Sequence, residues 1–268
     1  MNEMRRKLGI LGCGKMARAM VARWLESGTL TPDQVMACTS TTASAAEVQH
    51  ALGISCGIDA QHVIDSADII LLSVKPQLRG TVLAGLTPQP GQLWLSVLAG
   101  VTTATLETML PRTQVVRVMP NTPVRVGQGL LAVAPGLSCP PDRLREARAL
   151  LGPLGTLVDL AETEIDAFTA VAGSGPAYVF RFMEALTLAG VTAGLDAETA
   201  ALLARKTVLG AACLADRDER DPALLRAEVT SKGGMTQAAL AVLEQNDWGD
   251  ALVVAVQAAI QRAHELGK

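Results

Sequence analysis

Aromatic side chains are scarce in this sequence, with three Trp, one Tyr and three Phe among 268 residues. That leaves little from which to build a platform for stacking nucleic-acid bases. Neither sign of charge dominates: 23 Lys and Arg stand against 26 Asp and Glu, a formal net charge of −3. A near-neutral chain has no general attraction for nucleic acid or for an anionic membrane surface, and neither is expected as a partner. Histidine occurs only at 50, 62 and 264, in no recognisable motif. There is no His–Asp pairing of the hydroxyacid-dehydrogenase kind and no G-x-S-x-G elbow. The five cysteines, at 13, 38, 56, 139 and 213, are odd in number, scattered and free of any C-x-x-C pair. They predict small buried apolar side chains rather than a disulfide framework or a metal site. Long apolar runs are missing as well. Ala251–Ile260 is too short to span a bilayer, and the charged stretch Met1–Lys7 leads straight into a short apolar segment, unlike a signal peptide. The expectation is a cytoplasmic globular protein, and a hydrophobic fraction of 49% is ample for its core.

What is present has a clear alternation. Lys7–Leu11, Val35–Cys38, Ile69–Val74, Leu93–Leu98 and Val115–Met119 are short apolar or β-branched runs. Helical patterns lie between them at Met16–Ser27, Ala43–Leu52, Gln61–Ser66 and Thr103–Leu110. Near-continuous apolar strands separated by helices predict a parallel, doubly wound α/β sheet covered on both faces. Gly129–Ala134 and Thr156–Leu160 are expected to extend it around a helix near Asp142–Leu151. From about Glu162 the strand signal disappears, and long Ala- and Leu-rich helical runs take over. Gly173–Pro176, Asp196, Asp221-Pro222, Gly233-Gly234 and Trp248-Gly249 punctuate them. The run Ala251–Val256 is apolar on every face of a helix, which a region of this size cannot cover from within; a subunit interface follows. The division predicted is 1–161, dinucleotide-binding, and 162–268, all-helical, substrate-binding and oligomerising.

Two stretches carry chemistry. Gly12-Cys13-Gly14-Lys15-Met16-Ala17 reads G-x-G-x-x-A between the first strand and the first helix. Gly12 suits the tight turn, Gly14 the approach of a pyrophosphate, and Ala17 close helix–strand packing. Lys15 and Arg18 oppose the macrodipole of that helix by roughly 0.3–1 kcal/mol each, a cost that a bound anion reverses. After the second strand comes Cys38-Thr39-Ser40-Thr41-Thr42, with no acid to bind a ribose 2′-hydroxyl and no arginine to clamp a 2′-phosphate. Hydroxyls without a repelling carboxylate favour NADPH, with NADH possible. Ser73–Pro76 and Ala99-Gly100 close two further strands and so face the same crevice. Lys75 there reads either as a solvated strand-end lysine or as a catalytic one. The proline-braced loop Met119–Pro123 suits a wall of the site or an ordinary turn. In the helical half, Thr230-Ser231-Lys232-Gly233-Gly234-Met235-Thr236 precedes a helix expected over Gln237–Glu244. Paired glycines at a helix entrance expose N–H groups that suit a carboxylate, or serve as a plain capping loop. A hydroxyl, an amide nest and no histidine fit reduction of a C=N bond better than of a C=O bond.

Together these segments resemble the pyrroline-5-carboxylate reductase family. The likeness runs through Gly9–Ala17, Val74–Gln77, Arg117–Pro123 (RVMPNTP), Gly173–Phe180 (GSGPAYVF), Thr230–Thr236 and the closing helix to Leu266. It implies an N-terminal Rossmann domain and a helical C-terminal domain interlocked with a partner, in a homodimer or a dimer-based decamer. It also implies hydride transfer from NAD(P)H to the cyclic imine L-1-pyrroline-5-carboxylate, giving L-proline. Cofactor binding falls on Leu11, Gly12, Cys13, Gly14, Lys15, Met16, Thr39, Ser73, Val74, Lys75, Pro76, Leu98, Ala99 and Gly100. Substrate binding falls on Ser231, Gly233, Gly234, Met235 and Thr236, with Thr236 as the catalytic residue. The chain departs from the family pattern at Lys15, Lys206 and Lys232, and it lacks the arginine often found after the second strand. Two other readings remain: a relative that reduces another imine or uses Lys206 as a hydroxyacid dehydrogenase, and a sensor that binds NADPH without turnover.

Overall fold

The computed structural model describes residues 8–218 and 220–266; Lys7 and the charged stretch before it lie outside the described residues, as does the side chain of His264. Among the described residues two compact units emerge, 8–173 together with 260–266, and 174–259 without residue 219.

The first unit holds one eight-stranded sheet. Its strands are β1 (Leu8–Leu11), β2 (Val35–Cys38), β3 (Ser55–Gly57), β4 (Ile69–Leu72), β5 (Leu93–Ser96), β6 (Gln114–Pro120), β7 (Gly129–Pro135) and β8 (Gly155–Asp159), in the order β3-β2-β1-β4-β5-β6-β7-β8. The six from β3 to β6 are parallel; β7 runs antiparallel to β6, and β8 is parallel to β7. The connecting helices are α1 (Lys15–Glu26), α2 (Thr42–Leu52), α3 (Ala60–Asp65), α4 (Arg79–Leu83), α5 (Thr103–Met109) and α6 (Pro141–Leu151).

Period-two alternation of side chains divides the core between the two faces. Ile69 and Leu71 of β4 pack with Leu93 and Leu95 in one cluster, while Ile70 and Leu72 pack with Trp94 in the other. Both clusters are closed, so each strand needs apolar residues at every position, as the uninterrupted runs in the sequence require. On one face α1 meets α6 through Trp24, fully buried, whose Nε1 donates to the Leu150 carbonyl at 2.7 Å. A buried indole needs that acceptor, which fixes where the two helices touch.

Several details differ from the sequence expectation, the first being the antiparallel β7 in a sheet expected to be parallel. The strands expected to reach Val74 and Leu98 end at Leu72 and Ser96, because the chain turns away from the sheet beyond its last ladder partners. β3 was not anticipated: Ser-Cys-Gly has weak strand character, and pairing with β2 alone holds it. The short helix α4 was also missed.

Beyond β8 the described residues contain no strand. α7 (Ile165–Phe168) passes through a π-helical turn at Thr169–Gly173 and is followed by α8 (Gly175–Thr192), α9 (Ala197–Asp218), α10 (Pro222–Glu228), α11 (Met235–Gln245) and α12 (Trp248–Leu266). Punctuating residues sit at the helix starts. Asp196 Oδ1 accepts from the Thr199 N–H at 2.9 Å, and Asp221 Oδ1 from the Ala223 N–H at 2.8 Å, just ahead of Pro222. The Thr199 hydroxyl first, and then its N–H, hold the Asp196 carboxyl below the usual range by hydrogen bonding.

The second unit leaves much apolar surface in water. No residue of α8, α10 or α11 is buried, and Ala200 and Ala204 alone are buried in α9. Phe182 and Trp248 meet edge to face at 6.5 Å beside a groove of about 760 Å³ that also includes Tyr178 and Leu252. Val253 and Val254 of α12 are 60% and 68% exposed. Apolar surface of this extent marks an interaction face, in line with the reading of Ala251–Val256 as part of a subunit contact.

Candidate active site

The strand order reverses between β1 and β4, and ligands of doubly wound sheets sit at such a reversal, beyond the carboxyl ends of the strands. A cleft of about 560 Å³ opens there, within the roughly 300–1,000 Å³ of small-molecule sites. Gly12, Cys13 and Gly14 line it from the end of β1, Thr39 and Ser40 from the end of β2, and Ser73, Val74 and Lys75 from the end of β4.

The turn after β1 is built on Gly12, at φ +84°, where side chains are disfavoured. A Cβ there would stand 2.6 Å from Val74 Cγ1 and 2.8 Å from the Ser73 carbonyl oxygen. The strand tips are laced together by Gly12 N–H to the Cys38 carbonyl (3.0 Å) and Ser73 N–H to the Leu11 carbonyl (2.9 Å). Gly14 is different: its φ is −78°, and a Cβ would meet nothing within 4 Å. The protein itself therefore does not need glycine at 14, and the open space above it is available to a ligand.

Gly14 caps α1 without a side-chain hydrogen bond, and no acid lies in the first turn. The helical ladder starts with Arg18 N–H on the Gly14 carbonyl at 2.9 Å. The amides of Lys15, Met16 and Ala17 precede it, at the positive end of the helix dipole, which is an arrangement for an anion. Cys13 and Cys38 add no charge to the cleft. Burial, the largest influence, pushes both thiols up to about 11, so they remain neutral. Uncapped amides, an open position over Gly14 and a hydroxyl-lined rim are the donor set that a dinucleotide's phosphates and ribose require.

Other residues of the sequence reading lie outside the cleft lining. Leu11 is fully buried and contributes its carbonyl to the lacing; Leu98 is also in the core. Lys15 and Ala99 are exposed, while Met16, Pro76 and Gly100 are half-buried. Asn121 is buried and engaged at both ends of its amide: its Nδ2 donates to the Ala172 carbonyl and its Oδ1 accepts from the Leu130 N–H, each at 2.9 Å. The Met119–Pro123 loop is thus a brace between β7 and the π-helical turn. Arg117, in the same motif, is buried and pairs with Glu162 at 3.2 Å and Asp166 at 4.0 Å. Glu162 also accepts from the Thr103 N–H (2.8 Å) and hydroxyl (2.9 Å) at the start of α5. Cleft residues that the sequence reading did not single out include Ser44 and Ile58. Ser44, in the first turn of α2 after a hydroxyl-rich strand end, was detectable in principle; Ile58, in a loop beyond an unforeseen strand, was not.

The second candidate region lies in the other unit. Gly233 has φ +74°, and Gly234 caps α11 in extended conformation without a side-chain bond. A Cβ on Gly234 would run into the Ser231 hydroxyl, and the Gly234 N–H donates to the Ser231 carbonyl at 3.0 Å. Ser231, Met235 and Thr236 are exposed, Met235 at 92%. The amides opening α11 precede its ladder, which begins with Ala238 N–H on the Gly234 carbonyl. The Gln237 Oε1 accepts from the Gly233 N–H at 2.6 Å, where a carboxylate oxygen would serve equally well. α11 starts at Met235, two residues before the expected Gln237. Lys206, the candidate for a different chemistry, is exposed on α9.

Comparison with known proteins gives a consistent result. The family model for pyrroline-5-carboxylate reductase dimerisation matches residues 162–266, and one described as NADP oxidoreductase coenzyme F420-dependent matches residues 7–100. The pyrroline-5-carboxylate reductase of Synechocystis is 40% identical over 98% of each chain. That of Arabidopsis thaliana is 33% identical over 98% of this chain and 96% of its own. Among solved structures, the pyrroline-5-carboxylate reductase of Coxiella burnetii superposes with a TM-score of 0.86 at 32% identity, covering 98% of this chain and 99% of its own. The Plasmodium falciparum pyrroline carboxylate reductase with NADP bound gives 0.88 at 26%, covering 98% of both. A 3-hydroxyisobutyrate dehydrogenase from Mycobacterium tuberculosis, at 16% identity and a TM-score of 0.52 over 72% of this chain and 67% of its own, shares the fold alone. Identity at this level over the whole length leaves one assignment: the chain belongs to the pyrroline-5-carboxylate reductase family.

Proposed function

We propose that this protein reduces L-1-pyrroline-5-carboxylate to L-proline with NADPH as hydride donor, NADH being the weaker alternative. The observation that carries the reading is the cleft at the start of α1, whose glycine turn, uncapped amides and hydroxyl rim suit a dinucleotide, in a chain related to these reductases over its full length. When bound, NADPH supplies the hydride that the imine carbon receives.

The chain's own residues divide the remaining work. Gly12, Cys13, Gly14, Lys15 and Met16 hold the pyrophosphate over the amides of α1, next to the buried Leu11. Thr39 takes the adenosine ribose, while Ser73–Pro76 and Leu98–Gly100 border the nicotinamide. The loop Gly233–Thr236, with Ser231 and Met235 beside it, receives the substrate carboxylate: the amides opening α11 at Met235 and Thr236 donate to it, the Gly233 amide joins them by exchanging Gln237 for a carboxylate oxygen, and Gly234 holds the turn through its bond to the Ser231 carbonyl. The Thr236 hydroxyl contacts the ring nitrogen or protonates it, recovering its own proton from water; once the nitrogen carries the proton it donates to the Thr236 oxygen. An iminium carbon is already electrophilic, so orientation and placed dipoles carry the catalysis and no covalent intermediate is needed. Residues 1–161 form the cofactor domain and 162–268 the substrate-binding and dimerising domain. The assembly is a homodimer or a dimer-based decamer in the cytoplasm, in which the exposed apolar helices of the second unit are covered.

The test is a substrate profile of the purified protein. Pyrroline-5-carboxylate should be turned over far faster than a six-membered cyclic imine acid or a 2-keto acid, with L-proline as product. Preference for the keto acid, abolished by Lys206→Ala, would transfer the protein to the dehydrogenase reading. Binding of NADPH with no turnover of any imine would make it a sensor.

A further inference from the structure

The strand-end sequence Thr39–Thr42 supplies hydroxyls for a 2′-phosphate but no cation, yet the fold brings one from elsewhere. Arg18, one turn into α1, lines the same cleft as Thr39, Ser40 and Ser44. Its Nε donates to the Cys13 carbonyl at 3.0 Å, which fixes the guanidinium against the glycine turn. Its Nη2 reaches Glu47 of α2 at 3.4 Å, so the outer end of the fork points to the β2–α2 side of the cleft rather than to the loop after β4 that carries Lys75. That side receives the adenosine ribose in sheets of this kind. The Arg18 side chain is 33% exposed and that of Glu47 68%, and such a long, wet ion pair is held weakly.

We propose that Arg18 reads the 2′-phosphate of the dinucleotide, exchanging Glu47 for the phosphate, with the Ser40 and Ser44 hydroxyls as neighbouring donors and that of Thr39 joining them by leaving the Thr41 carbonyl, to which it donates at 3.1 Å. A phosphate dianion offers a guanidinium two short charge-assisted bonds where Glu47 offers one long one. A cation four residues beyond Gly14 thereby replaces the missing one after β2, and Glu47 keeps it turned toward the cleft when no phosphate is present. The inference rests on the reading of the cleft as the NADPH site.

The test is calorimetric titration of NADP+, NAD+ and adenosine 2′,5′-bisphosphate into the intact protein and its Arg18→Ala, Arg18→Gln and Arg18→Lys variants. Arg18→Ala should weaken NADP+ and the bisphosphate by about tenfold or more, the scale of a lost charge-assisted bond, and leave NAD+ within about twofold. Arg18→Gln, which keeps a donor for the Cys13 carbonyl but no charge, should show the same selective loss even if the alanine variant folds poorly. Arg18→Lys should restore part of it. Equal losses for NADP+ and NAD+ would overturn the proposal by placing Arg18 at the shared pyrophosphate or in turn packing, and unchanged NADP+ affinity would overturn it outright. A wild-type protein that binds neither dinucleotide would instead refute the cofactor site itself.

Discussion

Alanine at Gly12 and at Gly14, two residues apart, should fail in opposite ways. At Gly12 the backbone has φ +84°, and a left-handed conformation costs a non-glycine residue about 1–2 kcal/mol. The new methyl would also sit 2.6 Å from Val74 Cγ1 and 2.8 Å from the Ser73 carbonyl. Val74 is able to rotate, but the carbonyl belongs to the peptide whose neighbouring Ser73 N–H is bonded to Leu11. Overpacking of this kind costs about 1–3 kcal/mol, so Gly12→Ala should lose about 2–5 kcal/mol in total. At about 2–4 °C per kcal/mol for a chain of this size class, Tm should fall by at least about 4 °C. Gly14→Ala meets no protein atom within 4 Å, at an ordinary φ. A slightly poorer helix cap and a less flexible unfolded chain nearly offset each other, leaving stability within about 1 kcal/mol of wild type. Its methyl instead occupies the space intended for the pyrophosphate, so NADPH affinity should fall by about tenfold or more. Denaturant melts paired with NADPH titration separate the two effects. A stable Gly12→Ala, or a Gly14→Ala variant that binds NADPH normally, would refute this account of the turn.

Thr236→Ala should lower turnover by about tenfold or more while NADPH affinity stays unchanged; a wild-type kcat would remove Thr236 from the mechanism. Glu162→Ala strands the buried Arg117 with only the more distant Asp166, and chemical denaturation should register a loss of about 3 kcal/mol; a change under about 1 kcal/mol would mean the pair is already solvated. Cys13 and Cys38, pushed up to about 11 by burial, should resist alkylation of the native protein at pH 8 while exposed Cys213 reacts. Because the folded thiols ionise later than the unfolded ones, their contribution to stability is complete below the ordinary thiol range. It should disappear as pH rises through about 11, and melts that stay flat over that interval would contradict the shift.

The parts of the fold that were legible in sequence are those in which local pattern and tertiary role coincide. The apolar runs of β1, β4 and β5 read as strands covered on both faces because both faces are covered, and the glycine turn follows β1 because its chemistry is local. β3 was hidden because three residues of weak propensity are held by one neighbour. The overrun to Val74 has the same origin in reverse: the apolar pattern continues after the ladder has stopped. In the cleft, Arg18 was visible only as a cation opposing its own helix dipole. Its contact with Glu47, 29 residues away, exists only once α1 and α2 are placed side by side. Gln237 on the Gly233 amide is a similar case: the glycine pair announced an anion nest, but not that a side chain of the same helix would occupy one of its donors. RVMPNTP carried its family signal through residues whose work here is bracing, Arg117 toward Glu162 and Asn121 toward Ala172.

The central claim is the reaction, and it is tested most directly by following NADPH absorbance with pyrroline-5-carboxylate while quantifying proline, then repeating the assay with NADH. The account predicts rapid oxidation of NADPH, one proline formed for each NADPH consumed, and slower turnover with NADH. Protein that binds NADPH yet forms no proline with either cofactor would contradict it.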